Sequence, residues 1–327
     1  MLGGLARRVA YVAKVRADTN RKMLVFDSGG LFTNGSEDAS SPAAKEKAQR
    51  IARAYRRMGA AAVNVGTSDL LMGVAFLRAE AKKKLPILSA NLVYSSNKTP
   101  LFPPFLIRDV DGIRIGVTGL LSPDWTPAVR RAAGSRVAAL NPAAAAAEAL
   151  KNLRGRADIV MLLSDLNAQE EKEVVEAVSG IHFVLGGREG RFGAAPIGRE
   201  EIPRLQSYRH GMYVGRLDLQ IAQPGLPIVE KNRLQRTESQ LREKEDLLHN
   251  LKKWEGEDTA PGLLRRIKET EKEIERLREV LRWIASSPEY GNFYQWLMIP
   301  LDVGITEDPQ VRKWFEKKKK SSHRVPG

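Results

Sequence analysis

The sequence predicts an α/β fold with a mixed sheet, followed by an antiparallel α-helical hairpin. Three observations carry this. Short apolar runs ending in polar or Gly-containing loops alternate with helical segments over residues 23–222. An Asp-Gly pair, Asp111-Gly112, separates two apolar runs as a hairpin turn does. From about Glu230 the pattern changes to Leu and Ile at heptad spacing.

The elements follow in order. Met23 to Asp27 is an apolar run that ends at Ser28-Gly29-Gly30, as a buried strand entering a loop does. Pro42 to Met58 is rich in Ala, Lys, Arg and Glu and is followed by Gly59, a helix with its stop. Ala61 to Val65 is a strand, Val74 to Lys84 a helix and Pro86 to Asn91 a third strand. Phe105 to Val110 and Ile113 to Leu120 form the hairpin. Pro142 to Leu153 is an Ala-rich helix, Asp158 to Ser164 a strand, Ala168 to Val178 a helix and Ile181 to Leu185 a strand before Gly186-Gly187. Tyr213 to Ile221 alternates apolar and polar residues, the period of a half-buried strand. Ligands in such folds bind beyond the carboxyl ends of strands, so the loops after Asp27, Val65, Ser164 and Leu185 are the places to look for chemistry.

Leu234, Leu241 and Leu248 are spaced by seven, and after a break at Trp254–Gly262 so are Ile267, Ile274 and Leu281. Two heptad segments of similar length with a Gly/Pro-containing connection argue for an antiparallel pair, a spacer or a surface for a protein partner or self-association through residues 230–285. The tail, residues 286–327, has Tyr290, Phe293, Tyr294, Trp296, Leu297 and Met298 close together, which suggests a docking segment. It ends in Lys317 to Lys320 and a polar stretch expected to be disordered. The domain division is therefore 1–222, 223–285 and 286–327.

The chain has 327 residues, 43% hydrophobic and 28% charged, enough to bury a core. The absence of Cys excludes disulfides, thiolate zinc sites, iron–sulfur clusters and a Cys nucleophile. No apolar run reaches the roughly 20 residues that cross a bilayer. The net charge of +14 sits on the body: residues 1–222 carry 32 basic and 21 acidic side chains, while residues 223–285 carry 14 and 13. A basic body suits anionic partners such as phosphate esters, nucleic acid or acidic lipid surfaces, or is simply a surface that prefers Arg. Aromatics are only 6% and do not interleave with a basic stripe, which argues against nucleic acid. No P-loop, dinucleotide-binding glycine pattern or Gly-x-Ser-x-Gly elbow follows a strand.

Six segments stand in a meaningful order: Asp27-Ser28-Gly29-Gly30, Asn64 to Asp69, Ser89 to Leu92, Ile115 to Leu120, Ser164-Asp165 and Gly186 to Gly190. Together they resemble the calcineurin-like metallophosphoesterases in their 5′-nucleotidase branch. With Gly3 to Arg8, Asp69-Leu70 and Ile305 to Pro309, they are most similar to a divergent bacterial group called 5′-nucleotidase-like (UshA-like) selenoproteins. The resemblance implies a four-layer α/β/β/α sandwich with mixed sheets.

In that family two divalent cations polarise a phosphoryl group and generate hydroxide, held by Asp, Asn and His ligands and one bridging carboxylate. Carried over position by position, the bridging Asp falls on Gly30 and the Asn-His pair on Thr67-Ser68. A single His falls on Asp165, and the final Gly-His-x-His falls on Gly187-Arg188-Glu189-Gly190. The Asp-x-His strand has no counterpart, so the N terminus is expected to be truncated or its start misplaced. Export to the periplasm is implied if a leader is lost, and a cytoplasmic location if Met1 is the true start.

The four His, at positions 182, 210, 249 and 323, lie in none of these loops; His182 reads as a packed strand residue. Asp27, Asp69, Asp165 and Glu189, with Ser28, Thr67 and Ser68, remain as cleft candidates. Three or four such carboxylates would suit a single oxygen-ligated divalent metal, or they cap the helices that follow. Arg188, with Arg191, would suit an anion, or Arg188 neutralises Asp165 or Asp69 internally. Two functions follow: a degenerate phosphoesterase-like binding or assembly module that needs no cofactor, or an active phosphoric ester hydrolase with a divalent metal.

Overall fold

A computed structural model describes residues 2–18, 22–33, 39, 41–189, 192–208, 211–254, 260–285 and 291–316. The chain forms two compact units, Met1–Arg216 with Trp296–Gly327, and Leu217–Gln295.

The first unit opens with α1 (Leu5–Asp18), β1 (Val25–Asp27), α2 (Pro42–Arg57), β2 (Ala60–Asn64), a 3-10 turn (Thr67–Met72) and α3 (Val74–Lys82). Next come β3 (Ile87–Leu88), β4 (Leu92–Tyr94), β5 (Phe105–Val110), β6 (Ile113–Leu121), α4 (Pro127–Ala133) and β7 (Val137–Ala139). Then follow α5 (Pro142–Leu153), β8 (Ile159–Asp165), α6 (Ala168–Ala177), β9 (Phe183–Gly186), β10 (Phe192–Ile197) and β11 (Ile202–Ser207). β12 (Tyr213–Gln220) carries the chain into the second unit, with β13 (Ile228–Glu230), α7 (Arg233–Lys252) and α8 (Pro261–Ala285). β14 (Asn292–Pro300) returns it, and α9 (Pro309–Glu316) follows.

Local chemistry sets several of these elements. α2 starts where Ser41 Oγ accepts the Ala44 N–H at 3.2 Å, with Pro42 in the first turn. Its buried residues Ala44, Ala48, Ala52 and Tyr55 recur at helical spacing, so one face meets the sheet. β5 and β6 pair antiparallel about Asp111 and Gly112, with φ of 54° and 85°, the conformation that makes Asp-Gly the favoured two-residue turn. β8 is buried along its whole length and lies parallel between β6 and β9, hence its unbroken apolar run.

A three-stranded parallel sheet has the order β1-β2-β3, and a six-stranded mixed sheet the order β10-β11-β9-β8-β6-β5. They face one another: a Cβ on Gly119 of β6 would lie 2.3 Å from atoms of both Asn64 on β2 and Leu88 on β3. Val9 and Val12 of α1 share a core with Ala48, Ala52 and Tyr55 of α2 and Val63 of β2. Ala145 and Ala149 of α5 share another with Val174 of α6, Leu162 of β8 and Val184 of β9. The result is an α/β/β/α sandwich.

The sequence reading is corrected in three places. The strand expected over Pro86–Asn91 ends at Leu88, and β4 begins at Leu92. Asn91 sits between them as a tie: its amide donates to the carbonyls of Leu121 and Leu140, and its carbonyl accepts the Leu121 N–H. α1 was not anticipated, and neither was the antiparallel pair β10–β11. The aromatic segment expected to dock lies largely in strand β14, with Tyr290 outside the described residues, as are Lys317 to Lys320.

In the second unit β13 pairs in parallel with the start of β14, and Asn292 is the knot. Its carbonyl accepts the N–H groups of Ala222 and Gln223, and its amide donates to the carbonyls of Gln223 and Leu226. α7 and α8 lie side by side in opposite directions, joined by the ion pairs Lys252–Glu271 and Arg278–Glu245. Leu251, Ile267 and Ile274 are buried.

Candidate functional site

Four loops converge beyond the carboxyl ends of β1, β2, β8 and β9, where the sequence pattern pointed. The contact is close enough to exclude side chains. A Cβ on Gly66 would lie 2.2 Å from the Gly30 nitrogen, one on Gly29 would lie 2.9 Å from Gly66, and one on Gly187 would lie 2.5 Å from Ser28 Oγ. Gly30, exposed and with φ +71°, would carry a Cβ 3.4 Å from Ser68 Oγ. The loops after Asp27 and Asn64 therefore touch through backbone, and the loop after Gly186 meets the first of them at the Ser28 side chain.

Three carboxylates gather here, each held by the chain itself. Asp69, buried within the 3-10 turn, accepts the N–H groups of Gly30 and Gly66 on Oδ2 at 2.9 Å each, and that of Phe32 on Oδ1 at 2.8 Å. Burial pushes its carboxyl up to about 7, against the pull of those donors, and the neighbouring charges of Asp27 and Asp165 raise it further. Asp165, at the end of β8, accepts the Thr67 N–H, and burial lifts its carboxyl to about 6 against that donor and the Arg188 charge. Asp27, at the end of β1, accepts the Gly29 N–H on Oδ1 at 3.0 Å and the Tyr55 hydroxyl on Oδ2 at 2.5 Å. Burial raises this carboxyl too, and Tyr55 and Arg8 pull it down.

The remaining candidates divide. Arg188 is exposed and reaches Thr67 Oγ1 and the Asp165 carbonyl oxygen, each at 3.4 Å, so it lies over the same loops. Glu189 turns away: one oxygen accepts the Ala168 N–H at the start of α6 at 2.8 Å, and the other pairs with Arg204 at 3.2 Å. Arg204 is buried and also pairs with the buried Glu171. Arg191 lies outside the described residues. His182 packs just before β9, where its Nδ1 accepts the Val160 N–H at 3.1 Å; burial holds its pKa below the usual imidazole value.

Two residues that the sequence reading passed over complete the cleft. Arg8 of α1 donates to the Tyr55 hydroxyl at 2.6 Å, and Tyr55 in turn donates to Asp27. A signal for Tyr55 existed: it continues the Ala44, Ala48, Ala52 face, so a polar tip was placed on a buried stripe. Arg8 stood in the Gly3 to Arg8 segment that carries part of the resemblance, but nothing there tied it to the cleft, because the helix that delivers it was not read.

The arrangement bears on metal chemistry. A pair of cations needs carboxylate lone pairs directed at common points. Here both oxygens of Asp69, both of Asp27 and one of Asp165 face N–H or O–H donors, whose positive ends occupy the side a cation would approach. Gly30 contributes no side chain. Among the described residues no group of three or more His, Asp and Glu is placed to hold a metal ion. These residues do not fit a two-metal centre.

The fold is that of the metallophosphoesterases and 5′-nucleotidases. No protein-family model and no curated protein sequence matches the chain; the evidence is structural. A 5′-nucleotidase precursor from Thermus thermophilus is 23% identical over 67% of this chain and 46% of its own, with a TM-score of 0.57. The sulfate thiohydrolase SoxB of Thermus thermophilus covers 99% of this chain and 47% of its own at 16% identity, with a TM-score of 0.68. The calcineurin-like phosphoesterase YfkN from Bacillus subtilis covers 98% of this chain and 89% of its own at 13% identity, with a TM-score of 0.63. The chain thus spans a little under half the length of the first two. Among the described residues no helix is long and apolar enough to cross a membrane.

Proposed function

We propose that this chain is a degenerate phosphoesterase-like protein that works as a binding or assembly module without two-metal catalysis. The observation that carries the reading is the commitment of Asp27, Asp69 and Asp165 to the chain's own donors. A carboxylate that closes three backbone N–H groups is a structural acceptor, and withdrawing it to ligate a cation would leave the buried N–H groups of Phe32 and Gly66 unpaired. The resemblance adds to this, since the bridging Asp falls on Gly30 and the imidazole ligands fall on Thr67, Ser68, Asp165 and Arg188.

The cleft is then a place for a phosphate-bearing small molecule, with Arg188 as the exposed cation above it. Residues 1–222 act as the phosphoesterase-like domain, and the paired helices within 223–285 offer a surface to a protein partner or a second copy. The competing reading is an active phosphoric ester hydrolase with a divalent metal, and its support is the fold shared with nucleotidases. The resemblance favours an exported protein where a leader precedes this sequence, and a cytoplasmic one where Met1 is the true start.

The test is elemental analysis of the purified chain together with phosphate release from nucleoside monophosphates in the presence of Mn2+ or Mg2+. Substoichiometric metal and release no faster than a blank are expected. About two equivalents of Mn, Fe or Zn with turnover would overturn the reading.

A further inference from the structure

We propose that Arg8 is the resident cation of this cleft, supplying from α1 the positive charge that a bound metal would otherwise give the Asp27 loop. The inference rests on the non-catalytic reading and adds to it the group that does the work.

The geometry is a relay of two short hydrogen bonds. Arg8 Nη1 donates to Tyr55 Oη at 2.6 Å, and Tyr55 Oη donates to Asp27 Oδ2 at 2.5 Å. The other Asp27 oxygen holds the Gly29 N–H. Gly30, the next residue, donates its own N–H to Asp69. Charge delivered at Asp27 thus fixes the loop that closes over Asp69. Tyr55 is buried, and its hydroxyl is held far above the usual phenol range, so it stays a neutral donor between the two ions.

Arg8 is enclosed. Its Nε is buried without a hydrogen-bond partner, and a Cβ on Gly211 would lie 2.5 Å from Nη2, so even a methyl group there would displace the guanidinium. The chain is fastened at three points just ahead of Arg8. The Gly3 N–H meets the Leu301 carbonyl at 2.8 Å, Arg7 pairs with Glu307 at 3.1 Å, and the Asp308 N–H meets the Ala6 carbonyl at 3.1 Å. A guanidinium stays charged at any working pH, and a tethered one does not dissociate. One of the three clustered carboxylates, Asp27, thereby has a counter-charge without an ion from solution.

The test is a double-mutant cycle on the full chain with Arg8→Met and Asp27→Asn, read as the unfolding equilibrium constant in urea. If Arg8 serves as the counter-charge, R8M is much more damaging beside Asp27 than beside the neutral amide. The expected coupling is at least about tenfold. A smaller coupling overturns the inference, because a helix residue that merely packs would cost the same in either background. If R8M does not fold, the double variant decides: a folded double variant supports the inference, and an unfolded one overturns it. Two equivalents of metal in the wild-type chain would overturn this inference and the non-catalytic reading together, whereas a metal-free chain without the coupling overturns this inference alone.

Discussion

Replacing Gly66 with Ala tests the central geometric claim, that the loops of the cleft are closed on one another through backbone. Gly66 has φ −87° and ψ 160°, extended values that Ala adopts freely, so no backbone strain enters. The added Cβ would lie 2.2 Å from the Gly30 nitrogen and 2.9 Å from the Gly29 carbonyl carbon. Restoring an ordinary contact of about 3.5 Å needs the two loops to part by more than an ångström. That displacement stretches the 2.9 Å bond from Gly30 to Asp69 beyond hydrogen-bonding range. Overpacking costs about 1–3 kcal/mol. The lost bond to a charged acceptor adds about 1.5–3 kcal/mol. A loss of roughly 4 kcal/mol is therefore expected, a large part of a typical domain's stability. Urea denaturation followed by tryptophan fluorescence and far-UV circular dichroism measures it. A loss below about 1 kcal/mol would refute the reasoning, since loops that part so cheaply are not closed on one another at Gly66.

Other outcomes follow from the same contacts. Burial raises the Asp69 carboxyl from 3.8 to about 7, so between those values the folded chain holds a proton that the unfolded chain has released. Stability then falls as pH rises across that window, by about 4 kcal/mol over three units. Asp69→Asn should flatten the slope between pH 4.5 and 8, and a slope equal to that of the wild type would count against it. Asn292→Ala removes four hydrogen bonds from the knot of the second unit and should cost about 3 kcal/mol; an unchanged urea midpoint would refute the role. Gly262 sits in the first turn of α8 with nothing near its would-be Cβ. Gly262→Ala should raise stability by about 0.5–1 kcal/mol, and a loss would contradict the open helical setting.

What could be read in the sequence was what neighbouring residues determine. Asp111-Gly112 announced its turn because two left-handed residues in a row leave few other choices. The alternation of apolar runs and helices set the α/β class, and the strand-end rule located the four loops that do converge. Partners escaped, because they come from elsewhere in the chain. Asp69 meets Phe32 across 37 positions, and Tyr55 meets Asp27 across 28. Glu189 stood in line with the cleft residues, yet its carboxylate leaves for the start of α6, a choice made by Ala168 and Arg204 that no local pattern records. α1 was missed because only Ala6, Val9 and Val12 are buried in it, a stripe too narrow beside Arg7, Arg8, Lys14 and Arg16 to declare a period.

The pairing of residues 3–8 with residues 301–308 has a consequence for biosynthesis. α1 is translated well ahead of the strand end and turn that fasten it, with the whole of the second unit between them. At 5–20 residues per second that interval is roughly 15 to 60 s. During it α1 has α2 and β2 to pack Val9 and Val12 against, but lacks the contacts that fix its first turn beside Arg8.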